Sequence, residues 1–266
     1  MRGYGVDIDV LGPLGVRVNG VGVMPSAPPV GLLVEELWGE RPPRSARTTL
    51  QTYVLQLREL IGAALESGAG PQGVDGVVSA KDVLVTAPGG YVLRGGGGSS
   101  DVREFDRLAG MGYRAMDADD FAGASRWLRE ALALWSGSAL ADVRAGAQLE
   151  VEVCRLEEAR LCALYQRIEA DLRLGRHREL LGELTVLVSR YRTHEALHGQ
   201  FMLALYRSGR RSEALNVYQR LRQTLVRDLG LEPSAGLRRL QQTMLQACEP
   251  TPLIAGAQDR RLARVA

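Results

Sequence analysis

The sequence predicts a mostly α-helical protein with a small β portion, in which strands and two helices lead into an all-helical repeat. Three observations carry this reading. Apolar residues alternate with period two near the N-terminus and again around residues 83–93, as half-buried strands do. From residue 101 onward they recur at helical spacing, with breakers between the segments. Within that stretch one motif returns after 34 residues: Gly175-Arg176-His177-Arg178-Glu179-Leu180-Leu181 matches Gly209-Arg210-Arg211-Ser212-Glu213-Ala214-Leu215. That period is tetratricopeptide-like and predicts stacked helix pairs, each covering its neighbour's apolar face.

Val6-Asp7-Ile8-Asp9-Val10-Leu11 alternates and is stopped by Gly12-Pro13. Val16-Arg17-Val18 and Val21-Gly22-Val23 flank Asn19-Gly20, a pair that takes positive φ readily, so they predict a hairpin. Pro25, Pro28 and Pro29 interrupt the chain before a short apolar helix, Leu32 to Trp38, closed by Gly39. After Pro42-Pro43 a longer helix begins near Ser45. Ala46, Leu50, Val54, Leu57, Ile61 and Ala64 make one apolar stripe along it. The opposite face carries Arg44, Thr48, Gln51, Thr52 and Arg58, with Arg47 and Tyr53 alongside. A second hairpin joins Val83–Thr86 to Tyr91–Leu93 through Pro88-Gly89-Gly90.

Gly95 to Ser100, four glycines and two serines, has the composition of a flexible linker. The predicted organisation is therefore 1–94, a linker at 95–100, a helical domain at 101–249 and a tail at 250–266. Helices are expected at 101–116, 120–135, 149–174, 177–191, 195–208, 211–229 and 234–247. Asp119-Asp120-Phe121-Ala122-Gly123-Ala124 is a looser third copy of the repeat motif.

Among 266 residues, 33 are basic and 31 acidic, a net charge of +2. Bulk charge therefore decides nothing about partners, and local placement must. No apolar run approaches the ~18 residues of a membrane span, and the N-terminus lacks a secretory core. Cys154, Cys162 and Cys248 make no closed disulfide framework, which fits a reducing cytoplasm. Cys154 and Cys162, eight apart on one helix, read as small core fillers. Glu150, Glu152, Glu157, Glu158 and Asp171 read as a solvated helix face.

His194-Glu195-Ala196-Leu197-His198 is a literal H-E-x-x-H, which on a helix puts two imidazoles on one face as a zinc protease needs. The one other histidine, His177, belongs to the preceding helix, and the motif lies inside the repeat array, where a helix N-terminus with Glu195 near the positive dipole end explains it. There is no G-x-S-x-G elbow and no phosphate-binding loop. The expectation is a protein with no catalytic residues, no cofactor and no metal.

What remains is the helix beginning near Ser45. Arginine, threonine and glutamine are side chains that reach phosphates and base edges. A short helix and a tight turn precede it, and a hairpin bearing Lys81, Thr86 and Arg94 follows as a wing, which is the grammar of a winged helix-turn-helix. The competing reading is an ordinary amphipathic surface helix. Glu35, Glu36, Glu40 and Glu59 dilute the basic patch.

Leu11-Gly12-Pro13-Leu14, Glu36-Leu37-Trp38-Gly39-Glu40, the run from Pro42 to Val54, Leu57-Arg58 and Pro88-Gly89-Gly90-Tyr91 resemble the Streptomyces antibiotic regulatory protein (SARP) family. Ala131 to Trp135, Leu156 to Leu161, Ile168 to Leu172, Leu203 to Arg210 and Leu229 to Ser234 are similar to its bacterial transcriptional activator domain. The resemblance implies an OmpR-type winged helix fused to the helical repeat. It implies a cytoplasmic activator that binds direct repeats in promoter DNA of secondary-metabolite clusters, engages RNA polymerase and self-associates on DNA. Arg44, Arg47, Thr48, Thr49, Gln51, Thr52, Tyr53 and Arg58 fall on the family's recognition helix. Arg44, Arg47, Thr48 and Gln51 are expected to read bases; Thr52, Tyr53, Arg58 and Lys81 are expected to hold phosphates, with Thr86 on the wing.

The chain departs from the family in one place. A long apolar helix normally precedes the Glu-Leu-Trp-Gly helix; here eight residues, Met24 to Gly31, bridge the gap and include three prolines. Its loss is expected to uncover Leu33, Leu37, Leu50, Val54 and Leu57, each worth about 1.5–3 kcal/mol when fully buried. The alternative reading is a repeat scaffold with a vestigial winged helix.

Overall fold

The computed structural model describes residues 6–13, 15–18, 30–67, 78–94 and 98–246. The elements run β1 (Val6–Asp9), β2 (Gly15–Val18), α1 (Val30–Trp38), α2 (Ala46–Ser67), α3 (Ala80–Val83), β3 (Leu84–Ala87) and β4 (Gly90–Leu93). Seven helices follow: α4 (Asp101–Asp117), α5 (Phe121–Ala133), α6 (Ala147–Arg173), α7 (His177–Arg190), α8 (Glu195–Arg207), α9 (Arg211–Leu229) and α10 (Ala235–Gln246). The chain is mostly helical with a small antiparallel β part, as its periodicities require.

Two compact units divide it: Met1–Gly110 with Glu130–Cys162, and Met111–Arg129 with Ala163–Ala266. This division falls within α4, α5 and α6, not at residues 95–100. The end of the glycine-serine stretch is tied into the first unit. Ser99 carbonyl accepts the N–H of Ile8 at 3.0 Å, and Ser100 forms a parallel bridge with Ile8. Asp101 Oδ2 accepts the N–H groups of both Val10 and Leu11 at 2.7 Å.

In the first unit β1 pairs antiparallel with β2, from Val6 opposite Val18 to Asp9 opposite Gly15. The partner of β2 among the described residues is thus β1, across Gly12-Pro13; the expected strand Val21–Val23 lies outside the described residues, as does the segment Met24–Pro29. β3 and β4 form a separate hairpin, Leu84 opposite Leu93. Residues after α5 close onto the end of β1, with Ser136 N–H donating to Leu11 carbonyl at 3.0 Å and Leu140 N–H to Val10 carbonyl at 2.9 Å. Phe105 and Trp135 meet edge to face at 5.6 Å in the core beside them.

The uncovered-core expectation holds in part. Leu50 and Val54 are buried, because α2 packs against α1, α3 and β2. Leu33 is half-buried and Leu37 and Leu57 are each about half exposed, so the stripe of α2 is fully buried only at Ala46, Leu50 and Val54.

Glu36 of α1 caps α6. Its carboxylate accepts N–H groups from Gly146 (2.6 Å), Gln148 (2.9 Å) and Leu149 (3.3 Å), donors that a helix start leaves without partners. A Cβ on Gly146 would lie 2.4 Å from the Glu36 carbonyl oxygen, so this approach requires glycine. Glu36→Ala should lower stability by about 1–2 kcal/mol, read from a denaturant midpoint; a shift below a few tenths would show that water replaces the carboxylate without loss.

In the second unit the repeat is visible in the hydrogen bonds. Arg176 N–H donates to Asp171 carbonyl and Gly175 N–H to Leu172 carbonyl; 34 residues on, Arg210 donates to Leu205 and Gly209 to Tyr206. Gly175 and Gly209 both take φ +79°, the left-handed turn of a Schellman helix end. The looser copy uses the same closure, Asp120 N–H to Ala115 carbonyl, with Asp119 at φ 57°.

Two expectations about side chains in α6 are corrected. Cys154 and Cys162 are exposed, not core fillers, because the buried stripe runs through Leu156, Ala163 and Ala170. Asp171 is fully buried, not solvated. Its carboxylate accepts from Ser125 Oγ at 2.8 Å, Arg129 Nη2 at 2.6 Å, Arg176 Nη1 at 2.9 Å and Arg167 Nη1 at 3.3 Å. Arg167, itself buried, also pairs with Glu183 of α7.

Candidate nucleic-acid interface

The candidate surface is built on α2. Ala46, Leu50 and Val54 recur every fourth residue and are buried, which fixes which way the rest of the helix faces. Arg47, Thr48, Gln51 and Thr52 consequently lie together on the exposed side. Arg44 is exposed in the turn just before the helix, and Thr49 is half-buried at the edge of the stripe. Arg44 and Arg47 form no ion pair among the described residues, so both guanidinium groups are available to an anion. Thr52 Oγ1 donates to Thr48 carbonyl at 3.1 Å, which uses the hydroxyl proton and leaves the oxygen able to accept.

The turn from α1 into α2 runs through Gly39, at φ +61°, and Pro42-Pro43. It is fastened by aromatic packing. Trp38, the last residue of α1, stacks on Tyr53 with ring centroids 6.3 Å apart and planes 16° from parallel. Tyr53 thus has a structural role on the flank of α2 while remaining partly exposed.

Arg58 has an intramolecular task that the sequence did not disclose. Its Nε and Nη2 donate to Leu84 carbonyl at 3.0 and 2.7 Å, and Nη2 also donates to Thr86 Oγ1 at 2.8 Å. Arg58 and Thr86 are therefore joined to each other, bracing the β3–β4 hairpin against α2. Lys81 is exposed on α3, at the base of that hairpin. Ser79 and Asp82 close the first turn of α3, Asp82 Oδ2 accepting from Ser79 N–H at 2.8 Å and from Ser79 Oγ at 2.7 Å. These bonds hold the Asp82 carboxyl below its ordinary value. The result is a helix, a turn, a second helix with a polar outer face, and a hairpin locked beside it: a winged helix-turn-helix.

The histidine pair is occupied differently. His194 is the N-cap of α8, its Nδ1 accepting from Leu197 N–H at 3.3 Å. His198 is buried, and because a carbonyl oxygen can only accept, its Nδ1 donates to His194 carbonyl at 3.0 Å. Burial pushes the His198 pKa below its ordinary value, opposed by the hydrogen bond to His194 carbonyl and aided by the charge of Arg220. Among the described residues no group of three or more His, Cys, Asp or Glu is placed to hold a metal ion. Among them, too, no helix is long and apolar enough to cross a membrane.

The family profile of the bacterial transcriptional activator domain matches residues 100–245. The chain is similar to the regulatory protein DnrI of Streptomyces peucetius, 48% identical over 259 residues that span 91% of this chain and 93% of DnrI. It is similar to the regulatory protein AfsR of Streptomyces coelicolor, 40% identical over 218 residues, which are 82% of this chain and 20% of AfsR. Among solved structures, Mycobacterium tuberculosis EmbR in complex with a low-affinity phosphopeptide matches with a TM-score of 0.79 at 29% identity, over 98% of this chain and 69% of that one. With a winged helix on one side of residue 100 and that domain on the other, the chain belongs to the Streptomyces antibiotic regulatory protein family of transcriptional activators.

Proposed function

We propose that the chain is a non-enzymatic, cytoplasmic activator that binds double-stranded promoter DNA of an antibiotic or other secondary-metabolite cluster through α2 and the β3–β4 wing. The observation that carries the reading is the exposed set of Arg44, in the turn before α2, with Arg47, Thr48 and Gln51 on the helix opposite its buried side, neither arginine forming an ion pair among the described residues. An α-helix fits the major groove, and these side chains match base-edge donors and acceptors there. Thr52, Tyr53 and Lys81 flank that face and supply phosphate contacts. Arg58 and Thr86 act one step back, by holding the wing in place. Family membership supports two further parts of the proposal: recognition of direct repeats by self-associated copies, and recruitment of RNA polymerase by the helical repeat.

The test is binding of a labelled promoter duplex at two salt concentrations. Each neutralised phosphate releases counterions, so the logarithm of the affinity should fall steeply with the logarithm of salt. A second reading, a protein-interaction scaffold with a vestigial winged helix, is favoured by the exposed Leu37, Leu57 and Leu60. A flat or undetectable response to salt would select it.

A further inference from the structure

The second unit contains a groove that the DNA reading does not use. It is an open channel of about 540 Å³ between α7 and α9, with α8 at its base. Leu181, Thr185 and Val188 of α7 share one helical face and form one wall. The floor is buried and apolar: Phe201 from α8, Val217 and Leu221 from α9. His198 joins it, buried, with its pKa pushed below the ordinary value by that burial.

The rim is cationic. Arg192, Arg210 and Arg220 line it and Glu213 is its one carboxylate. Glu213 is already taken by Arg210, in a two-pronged pair of 2.7 and 2.6 Å. Arg192 and Arg220 form no ion pair among the described residues; Arg220 Nε reaches only its own helix, at Asn216 carbonyl, 3.4 Å. An apolar trough edged by two guanidinium groups, which only longer-range attraction to Asp228 and Glu213 engages, has a definite complement. DNA would leave the floor unused, since phosphates gain nothing from Phe201 and Leu221. A purely apolar segment would leave the rim charges unanswered.

We propose that this groove docks an acidic amphipathic peptide segment of a partner protein, with an apolar side chain over Phe201 and Leu221 and carboxylates paired to Arg192 and Arg220. Charged rims raise the encounter rate and fix orientation, while the floor supplies the desolvated anchor.

The full chain should be titrated against a short fluorescein-labelled peptide of aspartate, leucine and phenylalanine, read by anisotropy. Controls are the same peptide with asparagine for aspartate, an oligo-aspartate of equal length, and duplex DNA. The amphipathic acidic peptide should bind at least tenfold tighter than either peptide control. The double variant R192E/R220E should lose tenfold or more of that affinity with an unchanged melting curve, as both side chains are exposed. Val188→Asp, on the wall, should lose it too, so the proposal does not rest on one variant. It is overturned by absent binding, by equal binding of oligo-aspartate, or by full retention in both variants. It is also overturned if R192E/R220E weakens DNA binding and leaves peptide binding intact, which would assign these arginines to phosphate.

Discussion

Asp171→Ala should destabilise the chain by about 3–5 kcal/mol and lower its melting midpoint by on the order of 10 °C, as seen by calorimetry. The carboxylate is fully buried and receives donors from four side chains on α5, α6 and the turn before α7. Removing it leaves Arg167, 5% exposed, with Glu183 alone, and strands Ser125 and Arg129 beside an uncompensated positive cluster. A buried charge that loses its partner keeps its desolvation penalty and loses the attraction that offset it. A loss under 1 kcal/mol would mean that water enters and solvates the arginines, and the network would then be a surface feature.

The same group predicts part of the acid response. Burial by itself raises the Asp171 pKa, but hydrogen bonds from Arg129 and Ser125, with the charge of Arg129, outweigh it and hold the carboxyl below the usual 3.8. A folded pKa below the unfolded one gives stability that is complete above about 3.8 and is lost as pH falls through the lower folded value. His198 acts higher on the scale. Its folded pKa lies below 6.5, so on acidification the unfolded chain takes the proton first and stability begins to fall below that pH. Stability should therefore decline in two stages, and His198→Gln should remove the upper one.

The sequence disclosed the helical repeat well because its signals are local. The 34-residue echo marks turns whose hydrogen bonds span five residues or fewer, so residue type and conformation coincide at Gly175 and Gly209. The seven helices after residue 100 match their expected spans within a residue or two at most ends. The exposed face of α2 was legible for the same reason, since a stripe at Ala46, Leu50 and Val54 dictates what lies opposite. Cys154 and Cys162 were placed on the wrong face of α6, a local error; what else stayed hidden is long-range. Glu36 looked like charge diluting a basic patch, yet its partners lie about 110 residues away at the start of α6. Arg58 reads locally as a phosphate contact, and its bonds to Leu84 and Thr86, 26 and 28 residues on, are invisible to that reading. Asp171 sits in a helix of mixed charge, and only α5 folding over it shows that it is enclosed.

Arg47→Ala separates two ways of touching DNA. Arg47 is exposed on the first turn of α2, in no ion pair among the described residues, on the face that Ala46 and Leu50 turn outward. If its guanidinium reads a base edge, cognate affinity should fall by about 1–3 kcal/mol while binding to unrelated duplex stays unchanged. If it grips a phosphate, both affinities should fall together and the salt dependence should lose about one counterion. Equal affinities for wild type and variant on both duplexes would remove α2 as the reading element. Arg58→Ala provides the contrast. Its donors end on the β3–β4 hairpin, so its loss should weaken DNA binding only by loosening the wing, together with a lower melting midpoint. A direct contact changes affinity without changing stability; a brace changes both. The pair of variants thus distinguishes the side chains that meet DNA from those that hold the surface in shape.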